Sequence, residues 1–200
     1  MQNILLKKKK ANAADFSRLL REDTLIPAVK STEELDRVLL GKKKLVFVLF
    51  GDILSIPDIV ARLKASDKMV LVHLDLIEGL NSKDVAVDFL VRNTMADGIL
   101  STKANLVKHA KSQGLLTVQR FFVLDSMALF NIEKQFPLNY ADAVEILPGL
   151  MPKVIRRLAG LIDQPIIAGG LISDREDVTA ALNAGAVAVS TTKIDLVQNF

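Results

Sequence analysis

Eight short, apolar, β-branched runs, stretches of helical spacing between them, and helix-start and helix-stop residues at the expected places predict an α/β protein built as a (β/α)8 barrel. Runs this apolar on both faces belong in a parallel sheet covered by helices, either closed or open and doubly wound; eight units select the closed form. Eight units of roughly 21 residues need about 170, so a chain of 200 residues makes a compact TIM-type barrel with short loops. We read residues 1–200 as a single domain without linker, low-complexity segment or inserted domain.

Residues 1–24 precede the first strand, and Phe16, Leu19 and Leu20 there predict a short amphipathic helix that closes the barrel floor. The first strand is IPAV from 26. Ser31 with Glu34 reads as a capping box opening a helix that carries Leu35, Val38 and Leu39 and stops at Gly41. LVFVLF from 45 is followed by Ile59, Val60 and Leu63 at helical spacing. In MVLVHLDL from 69, strand alternation puts Val70, Val72, Leu74 and Leu76 on one face and Leu71, His73 and Asp75 on the other. GILS from 98 precedes a helix with Leu106, Val107 and Ala110, ended by Gly114. LLTVQRFFV from 115, AVEIL from 143 and PIIA from 165 are the next three strands. Ser173 with Glu176 reads as a second capping box, for a helix with Val178, Ala181 and Leu182 that stops at Gly185, and AVAVS from 186 closes the series.

Composition excludes several classes. With no cysteine there is no disulfide, thiolate metal site or thiol nucleophile, and no metal site or cofactor is expected. The start MQNILLKKKK puts its apolar piece before its charges, the reverse of a secretory signal, and no run reaches membrane-spanning length. The expected location is the cytoplasm, with no membrane partner. A net charge of +3, from 26 basic and 23 acidic residues, favours a polyanion only mildly. The basic stretches Lys7–Lys10, Lys42–Lys44 and Lys153 with Arg156 and Arg157 suit a phosphate backbone or a solvated surface. One tyrosine and no tryptophan offer little for stacking on bases.

In such a barrel the loops after the strands converge on one mouth and carry function. The strand ends hold Lys30, Gly51-Asp52, His73 with Asp75, Ser101-Thr102-Lys103, Arg120, Glu145 with Pro148-Gly149, Gly169-Gly170 and Ser190-Thr191-Thr192. The last two sets fall on strands seven and eight, the recurrent phosphate corner of this barrel. Glycine admits close backbone approach to an anion, and hydroxyls, N–H groups and a helix dipole complete the site. We therefore expect Gly169, Gly170, Ser190, Thr191 and Thr192 to hold a phosphate; a tight turn and a helix cap are the plainer reading. Asp75 suits ligand hydroxyls, general-base work or a buried polar layer. Arg120, in so apolar a run, needs an anion or a carboxylate, and Glu145 is its obvious internal partner. Lys103 either reaches the mouth or is an exposed first-turn lysine.

The blocks VFVLFGDIL from 46, VHLDLIEGL from 72, ADGILSTKANL from 96, GLLTVQRFFVLDS from 114, VEILPGLMPKVI from 144 and PIIAGGLISDREDVTAALNAGAVAVSTT from 165 resemble the glycerol uptake operon antiterminator family of bacterial regulators, over roughly residues 26–193. The resemblance implies a barrel that senses glycerol 3-phosphate and acts on leader messenger RNA of glycerol-utilisation genes to prevent premature transcription termination, without catalysis. It implies glycerol 3-phosphate as effector, its phosphate at Gly169, Gly170, Ser190, Thr191 and Thr192, with Asp75, Arg120, Glu145 and Lys103 as candidates for the glycerol side. Further copies of the chain are an additional candidate partner. The ending KIDLVQNF lacks the tryptophan of the family pattern, and the lysine-rich start lies outside that pattern. The alternative from another class is an isomerase or aldolase acting on a small phosphorylated sugar or triol, with Asp75 or Glu145 as base and Lys103 as a Schiff-base lysine.

Overall fold

Residues 12–135 and 140–200 are described here from a computed structural model; the lysines at 7–10 lie outside them. The chain enters through α1 (Ala13–Glu22), whose N-terminus is capped by the Asn12 side chain accepting from the Asp15 N–H at 2.9 Å. Phe16 and Leu20, one turn apart, are buried against Ile26, Leu45, Phe47, Met69 and Leu116, which face the barrel interior. The helix thus plugs the barrel floor, as its spacing predicts, and full burial of each such side chain contributes roughly 1.5–3 kcal/mol.

The eight strands are β1 (Leu25–Val29), β2 (Leu45–Val48), β3 (Met69–His73), β4 (Gly98–Ser101), β5 (Leu116–Phe122), β6 (Ala143–Leu147), β7 (Ile166–Gly169) and β8 (Ala188–Thr191). All are parallel and paired in chain order, and β8 closes on β1 through Leu25 with Val189 and Ile26 with Ser190. The connecting helices are α2 (Thr32–Leu40), α3 (Ile56–Ala65), α4 (Asp84–Asn93), α5 (Ala104–Ser112), α6 (Ser126–Gln135), α7 (Pro152–Ala159), α8 (Arg175–Asn183) and α9 (Ile194–Asn199). Inward residues such as Leu71, Leu100 and Val118 fill the barrel. Outward residues of the first strands, Val46, Val70 and Val72 among them, pack under α2–α5, and those of the later strands, Val144, Ile146 and Val189 among them, pack with α6–α9.

Four local expectations are corrected. Strand alternation in VLVHLDL stops at His73, because Leu74–Leu76 turn into a 3-10 helix; Leu74 stays buried, but Leu76 is 48% exposed instead of sharing its face. The second helix start is displaced by one residue: α8 begins at Arg175, so Asp174 accepts from the Asp177 N–H, and the Asp177 carboxylate accepts from the Ser173 N–H and hydroxyl, in place of Ser173 with Glu176. At α2 Ser31 does cap the Glu34 N–H, but the Glu34 carboxylate reaches back to the Lys30 N–H rather than that of Ser31. Gly114 and Gly185 take positive φ after their helices, whereas Gly41 ends α2 in an extended conformation at φ −82°. Among the described residues no helix is long and apolar enough to cross a membrane.

Candidate functional site

Arg120 on β5 and Glu145 on β6 are register partners, and both belong to the inward set at the mouth end of the barrel. Arg120 Nε lies 2.6 Å from Glu145 Oε2, and both side chains are buried. This is the internal pairing that the sequence suggests. The other carboxylate oxygen, Glu145 Oε1, accepts a hydrogen bond from Ser190 Oγ on β8 at 2.5 Å. That contact spans the intervening strand β7, where Gly169 stands. A Cβ on Gly169 would come within 2.5 Å of Glu145 Oε1 and 2.7 Å of Ser190 Oγ. Gly169 therefore makes room for a carboxylate–hydroxyl contact rather than lining the open mouth.

Beyond it the chain turns sharply: Gly170 and Leu171 have φ of 73° and 63°, and Leu171 is the rarer case because it carries a side chain. The loop after β7 is tied to the end of β8 by the Thr191 hydroxyl, which donates to the Ile172 carbonyl at 2.9 Å and accepts from the Lys193 N–H at 3.1 Å. The two loops thus converge on a cavity of about 450 Å³ whose walls include Arg120, Gly170, Leu171, Ile172, Ser190, Thr191, Thr192 and Lys193, with Ala28, Leu49 and Leu147 as apolar wall. This volume suits a small-molecule site. Hydrogen bonding within the described residues uses none of the Leu171, Ile172 and Thr192 N–H groups, which leaves donors for an anion.

The nine candidate residues therefore divide. Gly170, Ser190, Thr191, Thr192 and Arg120 line one cavity, and Gly169 and Glu145 support it from the barrel interior. Asp75 and Lys103 belong to a separate cluster. Asp75 accepts from Ser101 Oγ and the Thr102 N–H at 2.7 Å each, and from Thr102 Oγ1 at 2.8 Å. Burial alone raises its pKa, but these three donors outweigh it and hold the carboxyl below its ordinary value. Lys103 Nζ is hydrogen-bonded to Ser82 Oγ.

Sequence reading missed the backbone of Leu171 and Ile172, and also Lys193, which lines the cavity rim. Their signal is positional: they directly follow Gly169-Gly170 and Ser190-Thr191-Thr192. His73, facing inward from β3, is 2% exposed. Burial and the nearby Arg120 charge push its pKa down to about 4, against the pull of Asp75, so it is neutral at neutral pH. A second, larger cavity of about 710 Å³ lies outside the barrel mouth, between α1, α2, α9 and Lys42–Lys44. Of the cations along it, Lys43, Lys44 and Arg37 are engaged with Asp23, Asp67 and Asp195. Among the described residues no group of three or more His, Asp or Glu side chains is arranged to hold a metal ion.

Comparison with known proteins bears on the family and the fold. The sequence matches the family described as glycerol-3-phosphate responsive antiterminator over residues 25–197. It is 44% identical over 174 residues to the uncharacterized protein YgcP of Escherichia coli (strain K12), covering 87% of this chain and 91% of that one. The structure resembles the glycerol uptake operon antiterminator regulatory protein of Listeria monocytogenes, with TM-score 0.82 and 32% identity over 85% of this chain and 92% of that chain. It also resembles a glycerol uptake operon antiterminator-related protein of Thermotoga maritima, with TM-score 0.77 and 32% identity over 88% and 98% of the two chains. With a family match from the first strand to the last helix, the chain belongs to the glycerol-3-phosphate responsive antiterminator family.

Proposed function

We propose that the protein is a cytoplasmic regulator that binds glycerol 3-phosphate in the barrel mouth and, in response, acts on leader messenger RNA of glycerol-utilisation genes to prevent premature transcription termination. The observation that carries the reading is the convergence of the loops after β7 and β8, with Arg120, on one cavity. In this reading the phosphate lies against the N–H groups of Leu171, Ile172 and Thr192 and the Thr192 hydroxyl. Arg120 spends only Nε on Glu145, so its terminal nitrogens are donors for the ligand, and Lys193 adds charge at the rim.

A regulatory role is supported over a catalytic one by the state of the candidate bases. Asp75 already accepts three hydrogen bonds, Glu145 is fully buried in an ion pair, and Lys103 is bonded away from the cavity. None is an unengaged base or amine facing the ligand space. Coupling requires that glycerol 3-phosphate bind the RNA-competent state more tightly than the other state.

The test combines thermal denaturation with and without glycerol 3-phosphate, an assay for its consumption, and gel shifts on a leader transcript across salt. The expected result is stabilisation without turnover, and an RNA affinity that changes with ligand. Turnover would establish the isomerase or aldolase reading instead, and identical RNA affinity with and without ligand would remove the coupling.

A further inference from the structure

Lys153, Arg156 and Arg157 on α7 are exposed and belong to neither the core nor the mouth cavity. Spacings of three and four residues put them on one side of the helix, which carries no acidic residue of its own. Arg157 is held by Glu133 of α6, at 2.6 Å from Nε and 3.0 Å from Nη2. Among the described residues the side chains of Lys153 and Arg156 enter no ion pair or hydrogen bond. Other cations one turn apart are not free in this way: Lys111 beside Lys108 pairs with Asp142, and Arg18 beside Arg21 pairs with Glu22. The basic side of α7 is also tied to the cavity. The Gly149 N–H, three residues before the helix, donates to the Gly170 carbonyl at 3.1 Å. A Cβ on Gly149 would come within 2.9 Å of Ile172 Cδ1 and 3.1 Å of the Gly169 nitrogen. The loop before α7 therefore rests directly on the loop that supplies Gly170, Leu171 and Ile172 to the cavity wall.

We infer that the basic side of α7 is the surface that grips RNA, with Lys153 and Arg156 as phosphate contacts, and that its grip responds to ligand through the contact of Gly149 with Gly170. This inference rests on the RNA reading above and deepens it by naming the surface and its link to the effector site. The chemistry of the partner follows from charge. Two unneutralised cations one turn apart, on a helix without a carboxylate, suit a chain of closely spaced anions, and phosphates that neutralise them release counterions. Both side chains are direct donors to phosphate oxygens. The helix carries no aromatic residue, so it contacts the backbone and does not stack on bases. A ligand that fixes the loop after β7 fixes the start of α7 with it. RNA affinity then changes by the difference in ligand affinity between the two states of that loop.

The test is fluorescence anisotropy of a labelled leader transcript from a glycerol-utilisation operon, titrated across salt with and without glycerol 3-phosphate. The proteins are wild type, the double variant Lys153→Gln with Arg156→Gln, and a control that removes the same charge beside α4, Lys83→Gln with Arg92→Gln. All four residues are exposed, so both variants should keep the thermal midpoint and the glycerol 3-phosphate affinity of wild type. The α7 variant should lose about tenfold in RNA affinity, and its plot of log affinity against log salt should be shallower by about 1.5, for two lost phosphate contacts. Its residual RNA binding should no longer respond to glycerol 3-phosphate. The control should keep its RNA affinity to within about twofold, together with its ligand response. Unchanged affinity and slope in the α7 variant overturn the inference, as do equal losses in both variants, which would mean a diffuse attraction to the whole surface. A residual affinity that responds to ligand as in wild type overturns the link through Gly149. Tighter binding of poly-glutamate than of the transcript by wild type assigns the face to an acidic protein and also overturns the inference. No RNA binding by wild type, at any salt and with or without ligand, overturns the RNA reading itself and this inference with it.

Discussion

Ser190 and Glu145 meet at 2.5 Å across a strand that lies between them, through the gap left by the missing side chain of Gly169. Three strands thereby become one unit: Arg120 holds one oxygen of the carboxylate and Ser190 the other. The unit stiffens the barrel beneath the cavity, and its geometry makes the first two predictions.

Gly169→Ala places a methyl group 2.5 Å from a fully buried carboxylate oxygen. Overpacking of this kind costs about 1–3 kcal/mol, to be read as a lower midpoint in urea denaturation. Adding Ser190→Ala should recover part of the loss. An unchanged midpoint in the single variant would mean that the contact is not formed.

Glu145→Ala leaves the Arg120 guanidinium buried without its counter-ion. Removing one partner of such a pair costs about 3–5 kcal/mol. The double replacement Arg120→Met with Glu145→Leu should be less destabilised than Glu145→Ala, because no charge then remains unpaired. Chemical denaturation of both variants measures this, and the reverse order would refute the burial argument.

The stability of the protein should fall on mild acidification. His73 titrates at about 4 in the folded chain, against an ordinary 6.5. The unfolded chain therefore binds the extra proton between these values while the folded chain does not, so stability is full above pH 6.5 and declines as pH falls towards 4. The contribution is about 3 kcal/mol at most. Asp75, held below its ordinary 3.8, adds a further loss at lower pH, when its carboxylate is protonated. In His73→Asn the slope between pH 6.5 and 4 should flatten, and an unaltered slope would assign it to other groups.

Thr191→Val removes the hydroxyl that ties Ile172 to Lys193. The buried Ile172 carbonyl and the part-buried Lys193 N–H lose a partner, at about 1 kcal/mol, and the two loops lose their fixed spacing. Glycerol 3-phosphate affinity should drop several-fold with little change in secondary structure by circular dichroism. Retained affinity would show that the loops are positioned by other contacts.

Phe16→Ala should open the barrel floor. The ring is 1% exposed, and truncating a buried phenylalanine costs about 3–5 kcal/mol. The midpoint of thermal denaturation should drop, and a surface-like effect would mean that α1 is not a structural plug.

The eight βα units, the floor helix and the two loops after β7 and β8 were legible in the sequence, because periods of two and of 3.6 and the residues that start helices are local properties of the chain. What only the tertiary structure decided is which polar groups meet. The register of β5 with β6 joins Arg120 to Glu145, while the 3-10 turn after β3 sends Asp75 to Ser101 and Thr102, apart from the cavity. Barrel closure brings Ser190 over Gly169 to the same carboxylate, and burial beside Arg120 keeps His73 neutral. These relations depend on strand stagger and on the space between residues far apart in the chain, and no local pattern encodes either.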